Sequence, residues 1–124
     1  MIHVEPARTP RVMVVEDEPG LRGLITEVLT SEGGFDVVEA GSGDEAVAYL
    51  EAWDNIDCVF TDVRMPGHYN GLELTAWIHG HLPKTRVLMT SANLDPNDRL
   101  PDVAFMAKPY DFLAVIRKIR ALLN

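Results

Sequence analysis

A single cysteine, Cys58, excludes an intramolecular disulfide and a thiolate-built metal cluster, and its place inside an apolar run reads as a buried, inert thiol. No apolar stretch approaches the roughly 20 residues that a membrane-spanning helix needs. The N-terminal Met-Ile-His-Val-Glu-Pro-Ala-Arg-Thr-Pro also lacks the apolar core of a signal peptide. A cytoplasmic chain without membrane insertion is therefore expected. Positive charge is scarce: 11 Lys and Arg stand against 19 Asp and Glu, a net charge of −8, which argues against direct nucleic-acid binding because that affinity rests on neutralising phosphates. The four histidines, His3, His68, His79 and His81, show no metal-ligand spacing and read as surface residues. Trp53 and Trp77 read as closing helix ends against the core. There is no internal repeat and no low-complexity segment.

What is present fits one ordinary domain: 124 residues, 47% hydrophobic and 24% charged. Residues 1–10, with two prolines and no periodicity, read as a flexible lead-in to a domain over 11–124. Arg11 to Val15 is a short continuous apolar run, the type of strand covered by helices on both faces. Pro19 suits the first turn of a helix whose inner face carries Leu21, Leu24, Ile25, Val28 and Leu29 before Gly33-Gly34 stops it. Phe35 to Ala40 is the second expected strand, and Gly41-Ser42-Gly43-Asp44 caps a helix bearing Ala46, Val47 and Leu50 inward. Ile56 to Thr61 is the third strand, Leu72 to His81 the next helix, ended by Pro83, and Arg86 to Thr90 the fourth strand. Pro96 and Pro101 leave the segment from Asn93 to Asp102 short or irregular. Val103 to Ala107 is the fifth strand, and Asp111 caps a last helix with Val115, Ile116, Ile119, Leu122 and Leu123 facing in. Five strands alternating with helices imply a parallel α/β sheet wrapped on both sides, with right-handed crossovers.

In such a sheet, ligands bind beyond the carboxyl ends of the strands. Those ends carry complementary chemistry: Glu16-Asp17 after the first strand, Asp62 at the third, the hydroxyls Thr90 and Ser91 after the fourth, and Lys108 after the fifth. Clustered carboxylates resist joint ionisation unless a cation sits among them, and Mg²⁺ accepts one or two carboxylates plus waters and phosphate oxygens. A carboxylate nucleophile, a divalent metal and a lysine form a minimum set for phosphoryl transfer. Only one of Thr90 and Ser91 can face the site, because successive strand residues point opposite ways. Each residue alone has a plainer reading: an Asp capping a turn, a surface lysine before proline, a core phenylalanine at 105. The coincidence of Asp17, Asp62 and Lys108 favours function.

With these residues in order, the chain resembles the receiver domain of the two-component response regulators. Val14-Val15-Glu16-Asp17-Glu18-Pro19, Thr61-Asp62-Val63-Arg64-Met65-Pro66, Thr90-Ser91-Ala92 and Ala107-Lys108-Pro109 follow the family's order, and the likeness covers about residues 11 to 123. The resemblance implies a flavodoxin-like doubly wound sheet with strand order 2-1-3-4-5. It implies that Asp62 accepts a phosphoryl group from a histidine kinase or histidine phosphotransfer protein, and that a downstream protein reads the resulting switch. Asp17 would bind Mg²⁺ directly, with Glu16 standing where the family usually has Asp, the Arg64 carbonyl as backbone ligand, and Mn²⁺ or Ca²⁺ able to substitute. Ser91, followed by the small Ala92, is the chosen switch hydroxyl and Thr90 the fallback. Lys108 would contact the phosphoryl oxygen across a cis Lys108-Pro109 bond, and Phe105 matches the aromatic whose rotamer reports activation.

Two departures stand out: the turn from Pro66 to Gly71 is one residue longer than the commonest family spacing, and the fourth helix is eroded by Pro96 and Pro101. Arg64 and Asn93 flank the expected path of an attacking water. The alternative reading is a small metal-dependent phosphatase with an aspartyl-phosphate intermediate. Such enzymes commonly carry a second Asp two residues after the nucleophile, where this chain has Arg64, so self-phosphorylation and self-dephosphorylation are the only turnover expected. A chain ending with its last helix is expected to carry no DNA-binding or enzymatic output of its own. It reads as a stand-alone regulator, a phosphate shuttle in a relay or a receiver cut from a longer protein, the initiating Met with its lead-in slightly favouring the first.

Overall fold

Strands of alternating side-chain direction, apolar on both faces, need a helical layer on each side, and the computed structural model supplies both. It describes residues 8–92, 100 and 102–124. The elements are β1 (Arg11–Val15), α1 (Pro19–Ser31), β2 (Asp36–Ala40), α2 (Gly43–Ala52), β3 (Cys58–Asp62), α3 (Gly71–His81), β4 (Arg86–Ser91), β5 (Ala104–Ala107) and α4 (Phe112–Leu123). All pairings are parallel, and the sheet order is β2-β1-β3-β4-β5, as expected.

The period of two divides the core. Met13, Val15, Val59 and Met89 pack on one face with Val47 and Leu50 of α2 and Leu74 and Ile78 of α3. Val12, Val14, Cys58, Phe60 and Leu88 pack on the other with Ile25 and Leu29 of α1 and Val115 and Ile119 of α4. Cys58 is fully buried, and that burial first, then the charge of Asp57, pushes its thiol pKa up to about 12, so it is inert at neutral pH.

Local chemistry sets the helix ends. Pro19 opens α1, and Gly34 at φ 71° turns the chain out of it. Ser42 accepts from the Glu45 amide at 3.1 Å to cap α2, and Asp111 accepts from the Leu113 amide at 2.8 Å to cap α4. At α3, Asn70 and Glu73 form a reciprocal capping box, with bonds of 2.9 and 3.1 Å.

Several boundaries differ from the sequence expectation. Phe35 and Ile56, each 5% exposed, belong to the core but lie in connections, so β2 begins at Asp36 and β3 at Cys58. Asp57, just before β3, is occupied by Arg8 at 2.7 Å and by the Arg11 amide at 2.8 Å. Trp53 does not close its helix end against the core: it is 59% exposed at the end of α2. Trp77 packs partly against the core and stacks on His81 with ring centroids 4.3 Å apart. His68, His79 and His81 are exposed, as expected. The lead-in up to residue 7, His3 within it, and most of the irregular segment expected from Asn93 to Asp102 lie outside the described residues.

Candidate functional site

The register delivers the chemistry to one edge. Asp62 is the last residue of β3, Glu16 follows β1 directly, Thr90 and Ser91 end β4, and Lys108 follows β5. Lys108 reaches past β4 to place Nζ 2.6 Å from Asp62 Oδ2. The other oxygen, Asp62 Oδ1, accepts only a long bond of 3.3 Å from the Arg64 amide. The Lys108–Pro109 peptide is cis, as the resemblance implied.

Glu16 is buried, at 6% exposure. Its pKa is raised above the ordinary glutamate range, first by burial, then by the charge of Asp62; Lys108 and a bond from the Glu18 amide oppose this, and Asp17 adds the smallest contribution. Tyr110 lies close enough to register the same charges: burial first, then Glu16 and Asp62, push its phenol up to about 12. Asp17 is exposed beside Glu16. The site therefore sets three carboxylates against one ammonium in a partly desolvated place.

Among the described residues, no group of three or more His, Cys, Asp or Glu side chains is arranged to hold a metal. Glu16, Asp17 and Asp62 thus lie along one edge without forming a three-carboxylate cage, because Asp62 is drawn to Lys108 and Asp17 faces outward. That donor set fits Mg²⁺, which takes one or two carboxylates and keeps several of its waters. The excess of carboxylate charge favours a cation, and one or two carboxylates with a backbone carbonyl suffice for this ion.

The two hydroxyls occupy different positions. Thr90 is in register with Asp62, and Ser91 with Ala107, so Thr90 shares the Asp62 face and Ser91 the opposite one. Both are buried. Thr90 Oγ1 has no hydrogen-bond partner among the described residues, and the Ser91 carbonyl accepts from the Lys108 amide at 3.0 Å. Phe105 is in register with Met89 and packs against the core that faces α2 and α3. Beside Lys108 lies an apolar cavity of about 380 Å³ lined by Leu21, Ala92, Lys108, Pro109, Tyr110 and Phe112.

Sequence reasoning missed Asp44. Its Oδ1 accepts from the Tyr69 amide at 2.9 Å, tying the turn before α2 to the loop that follows Asp62. Nothing in the sequence signals this, because the contact spans 25 residues.

Comparison with known proteins agrees with this architecture. The response regulator receiver domain family matches residues 12–119, and the chain belongs to that family. The transcriptional regulatory protein TcrA of Mycobacterium tuberculosis is 33% identical over 117 residues, covering 90% of this chain and 45% of that protein. The transcriptional regulatory protein CpxR of Escherichia coli is 32% identical over 120 residues, covering 92% of this chain and 49% of its own length. The chain spans less than half the length of these relatives. The response regulator TrrA of Thermotoga maritima, solved in complex with Mg²⁺-BeF, superposes with a TM-score of 0.81 at 29% identity, over 93% of this chain and 100% of that one. The protein is therefore a response regulator receiver domain of two-component systems, a signalling switch. No helix among the described residues is long and apolar enough to cross a membrane.

Proposed function

We propose that Asp62 is the phosphoacceptor and that its phosphorylation, with Mg²⁺, switches the surface a partner protein recognises. The observation that carries this reading is the contact of Lys108 with Asp62 at 2.6 Å, reached across β4 and set beside the buried Glu16. In the transfer, an Asp62 oxygen attacks the phosphorus of a phosphohistidine on a sensor kinase or histidine phosphotransfer protein. The N–P bond breaks, and its electron pair leaves on the imidazole. Oδ1 is the freer oxygen, since its bond to the Arg64 amide is long. Lys108 neutralises charge on the phosphoryl oxygens, and Glu16, Asp17, Asp62 and the Arg64 carbonyl would hold the ion. When bound, Mg²⁺ orients the donor phosphate and screens the developing charge. The Mg²⁺-BeF complex of TrrA supports this assignment by similarity. The carboxylate charge in excess of what Lys108 alone neutralises makes the transfer metal-dependent.

Phosphorylation adds about −1.5 to −2 charge at Asp62. Ser91 supplies the switch hydroxyl, although the register starts its side chain on the face opposite Asp62. It is the last residue of β4, so its side chain must turn over the strand end toward Asp62, and its carbonyl is bonded to the Lys108 amide at 3.0 Å. The chain works in the cytoplasm, takes its phosphoryl group from the kinase side and passes the signal to a protein target rather than to nucleic acid.

Incubation with acetyl phosphate and Mg²⁺ is expected to add one phosphoryl group by intact mass, and Asp62→Asn to abolish it. A mass shift that persists in Asp62→Asn rejects the site. Ser91→Ala is expected to keep phosphorylation and lose the conformational response, whereas Thr90→Val keeps both; the reverse pattern transfers the switch role to Thr90.

A further inference from the structure

The metal-binding groups lie on two loops, one after β1 with Glu16 and Asp17 and one after β3 with Arg64, and the strand ladder fixes only the roots of those loops. The loop between Val63 and Gly71 is closed at its base by the Gly71 amide on the Val63 carbonyl at 2.8 Å. Its far end is fixed from outside. Asp44, in the first turn of α2, accepts from the Tyr69 amide at 2.9 Å and, more weakly, from the His68 amide at 3.4 Å. Two glycines permit the approach. A Cβ at Gly43 would lie 2.1 Å from the Tyr69 carbonyl oxygen, and Gly67, at φ 102°, turns the loop toward Asp44.

The same turn is tied to the other loop. Arg22 of α1 donates to the Glu16 carbonyl at 2.8 Å and pairs with Glu39 at 3.3 Å. The Gly41 amide donates to Glu45 at 3.0 Å, and a Cβ at Gly41 would lie 3.2 Å from the Arg22 guanidinium. Arg22 thus joins the Glu16 carbonyl to Glu39 of β2, two residues before the turn whose Asp44 holds Tyr69.

We propose that Asp44 is a positioning residue for the metal and phosphoryl site. By holding the His68 and Tyr69 amides it fixes the longer β3–α3 loop, so that Asp62 and the Arg64 carbonyl keep the separation from Glu16 and Asp17 that a divalent ion requires. Asp44 touches neither ion nor phosphoryl group and acts only through those amides. The inference rests on the receiver reading above and adds a determinant of its metal affinity. Loss of an outer contact that orients metal ligands typically costs about 10-fold or more in affinity.

The test uses the full chain and three measurements: Mg²⁺ titration of the unphosphorylated protein by calorimetry, amide hydrogen exchange at His68 and Tyr69, and acetyl phosphate labelling. Asp44→Ala is expected to raise the Mg²⁺ Kd about 10-fold. Exchange at Tyr69 should speed up, and labelling should need more Mg²⁺ to reach its plateau. Asp44→Asn, which keeps one acceptor oxygen and the side-chain volume, is expected to fall between the two, and it decides the matter if Asp44→Ala does not fold. Faster Tyr69 exchange with an unchanged Mg²⁺ Kd in either variant overturns the positioning role and leaves the receiver reading intact. Wild-type protein that neither binds Mg²⁺ nor takes a phosphoryl group overturns the receiver reading and this proposal with it.

Discussion

Glu16 is the residue at which function and stability oppose each other. Its carboxyl is buried next to Asp62, so ionising it costs more in the folded chain than in the unfolded one. A raised folded pKa means that the folded state holds the proton more tightly. The penalty is therefore absent below the ordinary glutamate value of about 4.3 and grows as pH rises through the folded value. Metal-free Glu16→Gln is accordingly expected to melt higher than wild type at pH 7, by about 4 °C for each kcal/mol of relief. The gap should close as pH falls toward 4, and the variant should bind Mg²⁺ more weakly. Thermal unfolding in a chelator across that pH range checks the claim, and a lower melting temperature for the variant at pH 7 refutes it. The position of Glu16 was legible from the sequence, but its burial was not. Adjacent acids look equivalent in a string, and only packing makes Glu16 the inner one and Asp17 the exposed one.

At the scale of elements, the capping box of α3 joins the site loop to a buried helix. Asn70 and Glu73 satisfy each other's amides, and Leu74 and Ile78 on the same helix are fully buried. Asn70→Ala removes a cap worth about 1 kcal/mol, and a melting temperature lower by about 4 °C is expected. No change on thermal unfolding would show the box to be redundant with the bond from Gly71 to Val63. This helix was expected from Leu72 and its Asn70-Glu73 box emerges only in the structure, whereas Pro19, Ser42 and Asp111 at the other helix starts were legible in the sequence. Strand starts were less so, because Phe35 and Ile56 are as apolar and as buried as true strand residues. Apolarity reports burial, and only the hydrogen-bond ladder separates a core-packed connection from a strand. The adjacent hydroxyls show a related limit. Alternation says that one faces the Asp62 side, but which one depends on a register between β3 and β4 that is a tertiary property. Asp44 was invisible for the same reason: its partners, His68 and Tyr69, are 24 and 25 residues away.

Across the whole molecule, Asp62 and Phe105 sit on opposite faces of one sheet. Asp62 and Thr90 lie on the face covered by α1 and α4, whereas Phe105 packs into the core against α2 and α3. On the proposed reading, a signal from Asp62 to Phe105 passes along β5 rather than through a shared cavity. Lys108 is the one described cation in contact with Asp62, and its amide is bonded to Ser91, which pairs with Ala107 two residues beyond Phe105. Charge added at Asp62 pulls on Lys108, and the pull reaches the end of β5 along the chain. Lys108→Ala is expected to keep the fold but to lower its melting temperature, since the side chains of the pair are only 24% and 12% exposed and the substitution leaves the Asp62 carboxylate without its cation. It should still accept phosphoryl, more slowly. The ring resonances of Phe105, which should shift on phosphorylation of the wild type, should then stay at their unphosphorylated positions. A wild-type shift of that ring in phosphorylated Lys108→Ala would mean that the two faces communicate through the Thr90 side of the sheet, and Lys108 would be left with charge neutralisation alone.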